Sequence, residues 1–174
     1  MLNQNLFLAS DDGYNLTKSL RFRSSASAYL NRTPASATNK TTWTYSYWFK
    51  GMNMSNGTAD YWALSAFVDG SNYTSVRHHN GYYIDVLSFN AGSAVSIVKT
   101  ANLFRDPASW NHMVIVFDTS NATQADRVRI YQNGVRCTIQ AGATYPSSGS
   151  PTGWVNSTAT HYIGKQSTEY FDGY

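Results

Sequence analysis

Three aromatic residues are placed where a flat ring could meet a ligand: Trp48, Tyr73 and Trp154. Trp48 falls on the opposite side of its run from Trp43, Tyr45, Tyr47 and Phe49. Tyr73 sits in the polar stretch DGSNYTS, and Trp154 in SPTGWVNS. An exposed aromatic plane stacks on the apolar face of a pyranose, and polar groups beside it read the hydroxyls. Such groups follow in Arg77-His78-His79-Asn80-Gly81-Tyr82. Trp48, Tyr73, His78, Asn80 and Trp154 are therefore the candidate carbohydrate-binding residues. With 13 Tyr and 5 Trp in the chain, many other rings must serve as packing.

Other chemistries find little material. Cys137 is the only cysteine, so no internal disulfide forms; it follows Asn133-Gly134 and reads as a small buried hydrophobe. No histidine is recognisable as its catalytic partner. The four histidines are His78, His79, His112 and His161. None shows zinc-ligand spacing, and His112 reads as a core histidine. No serine lies in a Gly-x-Ser-x-Gly elbow, and no glycine-rich phosphate loop is present.

Those side chains must be held by a domain of 174 residues, enough for one substantial core. Hydrophobic residues make up 42% and charged residues 13%. Ser (21), Thr (17) and Asn (15) take the place of the missing charge. So little Glu and Lys argues against helical bundles. Hydrophobicity this high argues against disorder. No apolar run reaches the length of a membrane-spanning helix, so membrane insertion is not expected. The net charge of +3 comes from scattered basic residues, so no nucleic-acid partner is expected either. The opening MLNQNLFLASDD lacks the basic segment and apolar length of a secretion signal. Asn-x-Ser/Thr motifs begin at Asn15, Asn31, Asn39, Asn53, Asn56, Asn72, Asn121 and Asn156, as expected of so polar a composition.

The elements are short alternating runs between Gly, Asn, Ser and Pro clusters. Ser19 to Arg23 alternates, with Leu20 and Phe22 on one face. Trp43 to Lys50 is the clearest strand. Tyr61 to Phe67 is another, and Tyr82 to Phe89 with Val95 to Lys99 forms a hairpin. Asn111 to Asp118 is apolar enough for a strand buried on both faces. Val128 to Tyr131 and Val135 to Ile139 flank Asn133-Gly134, the strongest hairpin signal. Asp106 caps one helical or 3₁₀ turn over Arg105 to Trp110. Residues 140 to 158 form a long exposed loop. The expected fold is all-β, an antiparallel β-sandwich or jelly roll.

The ordered series SLRFRSSASAYLNRT, WTYSYWFKG, LFRDPASWNHMVIVFDTS, RVRIYQNGVRC and HYIGKQSTEYFDGY resembles the laminin-G-like, concanavalin A-like jelly-roll superfamily. It looks most like the variants on bacteriophage virion proteins, tail fibres and other surface appendages. The resemblance implies an N-terminal lead-in of residues 1–18 and a jelly roll over 19–174. It also implies a further strand after Phe-Asp-Gly-Tyr, supplied by a longer polypeptide or a neighbouring subunit. β-Glucan cleavage on this fold needs two carboxylates in a Glu-x-Asp-x-x-Glu type strand. This chain has one Glu, Glu169, and no such strand; Asp85 has no acid two or four positions on, and Asp11 and Asp12 alternate faces. No enzyme and no cofactor are expected. The resemblance leaves room for a calcium ion at a sheet rim, with Asp60, Asp69 and Asp118 as donors; solvated turn aspartates explain them equally well. The function it implies is a non-catalytic lectin-like domain on the virion, binding host-surface glycan beside other virion subunits, a homotrimer being the common arrangement. The alternative is a structural virion protein, a head decoration or fibre assembly domain.

Overall fold

A computed structural model of the chain describes residues 19–50, 60–151 and 153–174. The lead-in 1–18 lies outside the described residues, as do Asp11, Asp12 and the motifs beginning at Asn15, Asn53 and Asn56. Among the described residues twelve strands follow in the order β1 (Leu30–Arg32), β2 (Thr42–Phe49), β3 (Tyr61–Asp69), β4 (Asn72–His78), β5 (Ile84–Asn90), β6 (Ser93–Lys99), β7 (Asn111–Asp118), β8 (Val128–Gln132), β9 (Val135–Arg136), β10 (Thr160–Ile163), β11 (Lys165–Gln166) and β12 (Glu169–Tyr170). All pair antiparallel. One sheet has the order β1-β10-β3-β4-β5-β6, the other β2-β7-β8-β9, and β11-β12 is a separate hairpin.

Alternation along β2 drives Trp43 and Phe49 into the core, while Thr44, Ser46 and Trp48 stay exposed. Its partner β7 contributes Met113, Ile115 and Phe117, all fully buried. Trp43 stacks on Phe117 with centroids 5.0 Å apart. Val76, Ile84, Val86 and Val98 close the core from the six-stranded sheet. Strand β7 is not buried on both faces as expected. Its burial alternates, so His112, Val114 and Val116 lie on the outer side and His112 is no core histidine.

Asn133 and Gly134 take φ of 50° and 81° and turn β8 into β9, as their sequence predicts. The second arm stops at Arg136 instead of reaching Ile139. The chain then crosses to the other sheet, where Ile139 bridges Thr100 and Thr144 bridges Ile97. Residues 140 to 158 are therefore not simply an exposed loop: Gly153, Val155 and Ser157 are buried. Residues 106–109 make a turn rather than a helix, with the Asp106 carboxylate accepting the Ala108 N–H at 2.8 Å. Leu20 and Phe22 do not share a fate. Leu20 is 59% exposed, whereas Phe22 sits edge-on to Phe171 at 5.9 Å.

The chain end is held twice. Phe22 and Gly173 exchange backbone hydrogen bonds of 2.8 and 3.1 Å, and Lys50 and Tyr174 exchange bonds of 3.1 and 2.9 Å. Gly164 makes this closure feasible. Its φ is +83°, and a Cβ there would stand 2.7 Å from the Phe22 ring. Gly164→Ala should therefore destabilise the fold by roughly 1–3 kcal/mol in urea unfolding, through backbone strain and a crowded ring.

His78 ends β4 pointing inward, because Thr74 and Val76 on its face are core residues. Its Nε2 shares a 2.9 Å hydrogen bond with the Tyr47 hydroxyl across the two sheets. Phe49 and Phe171 meet the ring edge-on at 4.5 and 5.8 Å. Burial pushes its pKa down to about 3. An unfolded His binds a proton near pH 6.5 while the folded one refuses it, so this contribution is complete above pH 6.5 and is lost as pH falls toward 3. The stability gap between wild type and His78→Gln should narrow by roughly 2–3 kcal/mol between pH 6.5 and 4.5 in urea titrations.

Candidate carbohydrate-binding face

The outer side of the four-stranded sheet carries the exposed aromatics that the alternation demands. Register pairs Trp48 with His112. Their rings stack at 4.8 Å and 19°, and Trp48 remains 54% exposed. His112 is fixed from two sides. Its Nε2 bonds the Ser46 hydroxyl at 2.8 Å, and its backbone N–H donates to Asn133 Oδ1 at 2.8 Å. The β8–β9 turn thus helps to orient the ring beneath Trp48.

The same face continues toward the chain end. Trp110 is 45% exposed and Tyr174 is 38% exposed, with ring centroids 6.4 Å apart. Lys50 Nζ lies 5.8 Å from the Trp110 centroid. The Arg21 guanidinium lies 5.2 Å from that of Tyr174, and its Nη1 donates to the Tyr174 hydroxyl at 3.3 Å. Beside Trp48 and Tyr174 a slit of about 80 Å³ opens between the sheets, lined by Tyr45, Tyr47, Phe49 and Phe171. Trp48, Trp110 and Tyr174 form a platform of flat rings with hydroxyl, imidazole and cationic donors at its margins. Such a surface can stack a sugar ring and hydrogen-bond its hydroxyls.

The five residues singled out by sequence do not converge. Trp48 alone lies on this platform. Tyr73 lies on the outer side of the other sheet, half-buried between Phe89 at 5.1 Å and Phe67 at 6.3 Å. Trp154 is half-buried, with its indole N–H donating to Phe89 O at 2.9 Å and Lys40 Nζ 5.5 Å from its ring. Asn80 occupies the turn after β4, where its backbone N–H donates to Asp60 Oδ1 at 3.2 Å. His78 is withdrawn from the candidates: inward alternation seals it in the core, out of reach of a surface ligand. Arg77 is also committed. It grips Asp85 through two bonds of 3.0 and 2.6 Å and Asp60 through one of 2.7 Å.

Sequence reasoning missed Trp110, His112, Lys50, Arg21 and Tyr174. The signal for Trp110 and His112 was their two-residue spacing, which puts both on Trp48's face once β2 and β7 are in register. No local signal brings Arg21 and Tyr174 there, because their pairing spans 153 positions.

Carboxylates assemble differently. Asp60 and Asp85 meet around Arg77, yet Asp85 has no exposed surface. Burial raises its pKa, opposed by Arg77. Glu169 accepts the Trp62 indole N–H at 2.5 Å. The three aspartates named for calcium are scattered. Asp60 and Asp69 stand nine positions apart at the two ends of β3, and Asp118 ends β7 in the other sheet. Asp69 accepts the Ser71 N–H at 2.8 Å, which with Asn72 holds its carboxyl below the usual range. Asp118 accepts from Ser120 at 3.1 and 2.5 Å. Among the described residues no group of three or more His, Cys, Asp or Glu could hold a metal ion, and the three named aspartates do not come together.

A cavity of about 660 Å³ lies against β1 and β10, lined by Leu30, Arg32, Pro34, Leu64, His161 and Ile163 among others. None of its described lining residues is a Trp or Tyr.

No curated protein matches the chain. Among solved structures, a native heptameric SAP-like pentraxin from Limulus polyphemus is similar at 16% identity and a TM-score of 0.49. That likeness covers 83% of this chain and 65% of the pentraxin chain. The family model Laminin_G_3, described as concanavalin A-like lectin/glucanases superfamily, matches residues 23–174. With two packed antiparallel sheets behind that match, the chain belongs to the concanavalin A-like lectin/glucanases superfamily.

Proposed function

We propose that this domain is a non-catalytic sugar-binding module whose contact face is the Trp48–Trp110–Tyr174 platform. One observation carries the reading: Trp48 is 54% exposed yet held flat by its stack on His112. A ring oriented before binding loses little freedom on contact with ligand. The Ser46–His112 and His112–Asn133 bonds supply that orientation.

The setting in this reading is a phage particle. The domain sits on a tail fibre or similar appendage, beside other virion subunits in a trimer, and meets host-surface glycan. The ordered sequence motifs support that placement. A second reading rests on the same exposed rings, since Trp and Tyr are also enriched at protein interfaces. There the domain is structural, a head decoration or fibre assembly domain, and a neighbouring subunit buries the platform.

Trp48→Ala should weaken binding to a host surface polysaccharide roughly tenfold in calorimetry while circular dichroism stays unchanged. Full retention of binding in that variant would remove the platform from the site. Loss of assembly without any glycan binding would favour the structural reading.

A further inference from the structure

The charged groups around the platform are unevenly used. The ion pairs among the described residues are Arg77–Asp60, Arg77–Asp85, His79–Asp60 and Arg136–Asp126. Arg21 and Lys50 take part in none of them. Each instead rests near an aromatic ring of the platform, Arg21 by Tyr174 and Lys50 by Trp110. The acids nearby are already engaged. Asp106, whose carboxyl is lowered chiefly by hydrogen bonds and slightly by Lys50, accepts from the Ser109 hydroxyl and the Ala108 N–H. Asp172 accepts the Ser24 N–H at 3.4 Å. Two cations are thus presented beside the rings with no ion-pair carboxylate among the described residues.

Spacing fits a sugar chain. Lys50 lies two residues beyond Trp48 along the same edge, about 7 Å at strand rise. A pyranose stacked on Trp48 whose chain runs along β2 places its neighbouring unit beside Lys50, with Arg21 beyond it across Tyr174. We infer that the platform selects acidic glycans, sugar chains bearing carboxylates, with Trp48 taking a pyranose face and Lys50 and Arg21 taking the carboxylate. A guanidinium can hold a carboxylate through two parallel hydrogen bonds, and an ammonium adds a point charge. This inference rests on the platform being the sugar site, and it adds the class of sugar.

Polygalacturonate and its fully methyl-esterified form separate the two ideas, because they share a backbone and differ in charge. Calorimetry at low salt should show the wild type binding the acid form at least tenfold more tightly. That preference should shrink as salt rises and vanish in the Arg21→Gln/Lys50→Gln double variant. Arg32→Gln, on β1 of the other sheet, should keep it. Equal binding of acid and ester by the wild type overturns the acidic-glycan inference and leaves the platform standing. An equal loss of preference in Arg32→Gln also overturns it, because the effect is then one of bulk charge. Trp48→Ala weakening both forms alike supports the platform. Binding of neither form by the wild type overturns both readings for this class of polymer.

Discussion

The eight-residue register between β2 and β7, from Thr42 opposite Asp118 to Phe49 opposite Asn111, is the constraint on which the rest depends. Side chains on a strand alternate, so a slip of one residue would exchange the two faces of the sheet. In the observed register Trp43 meets Phe117 inside and Trp48 meets His112 outside. The aromatic core and the aromatic platform are two sides of one pairing. What fixes it is burial: Trp43, Phe49, Met113, Ile115 and Phe117 all lose contact with water together.

The second sheet is joined to the first by packing and by specific polar bonds. Tyr47 reaches across to His78, and Tyr45 donates to Ala63 O at 3.2 Å. Both tyrosines face the core from β2, the strand that carries Trp48 on its other side. Burial raises the pKa of each phenol and lowers that of His78, so these groups bond as neutral partners. A neutral buried pair orders the interior without the desolvation cost of charges. Closure near the Phe22 and Gly173 bridge then brings Tyr174 against Lys50, which extends the platform past the end of β2. The face is built from residue 21, residues 46–50, residues 110–112 and residue 174, four separate parts of the chain.

Much of the architecture was legible in the residues. The alternation from Trp43 to Phe49 named the inner and outer sides of β2, and Asn133-Gly134 marked the β8–β9 hairpin. These are local signals, set by the pleat and by the positive φ that a tight turn requires. Strand β7 was less legible, because an apolar run such as HMVIVF gives no contrast between faces. His112 was accordingly placed in the core, and the structure turns it outward. The error at His78 has the same origin in reverse. Arg77 to Tyr82 reads as a run of polar groups open to a ligand, but β4 runs on to His78, whose parity carries it inward. Of the binding candidates, Trp48 was found because its strand had a clear period; Tyr73, Asn80 and Trp154 were chosen from polar surroundings and lie apart from it.

The sequence by itself determined the class of protein: all-β, low in charge, rich in rings, and carrying the motifs of one superfamily. It determined these because composition and period-2 alternation act over a few neighbouring residues. Only the tertiary structure decided which rings share a surface. Arg21 and Tyr174 touch through a turn of the whole chain, and Trp110 reaches the platform only when β7 pairs with β2. Such proximity follows from burying a common core at long separation, and no local pattern encodes it.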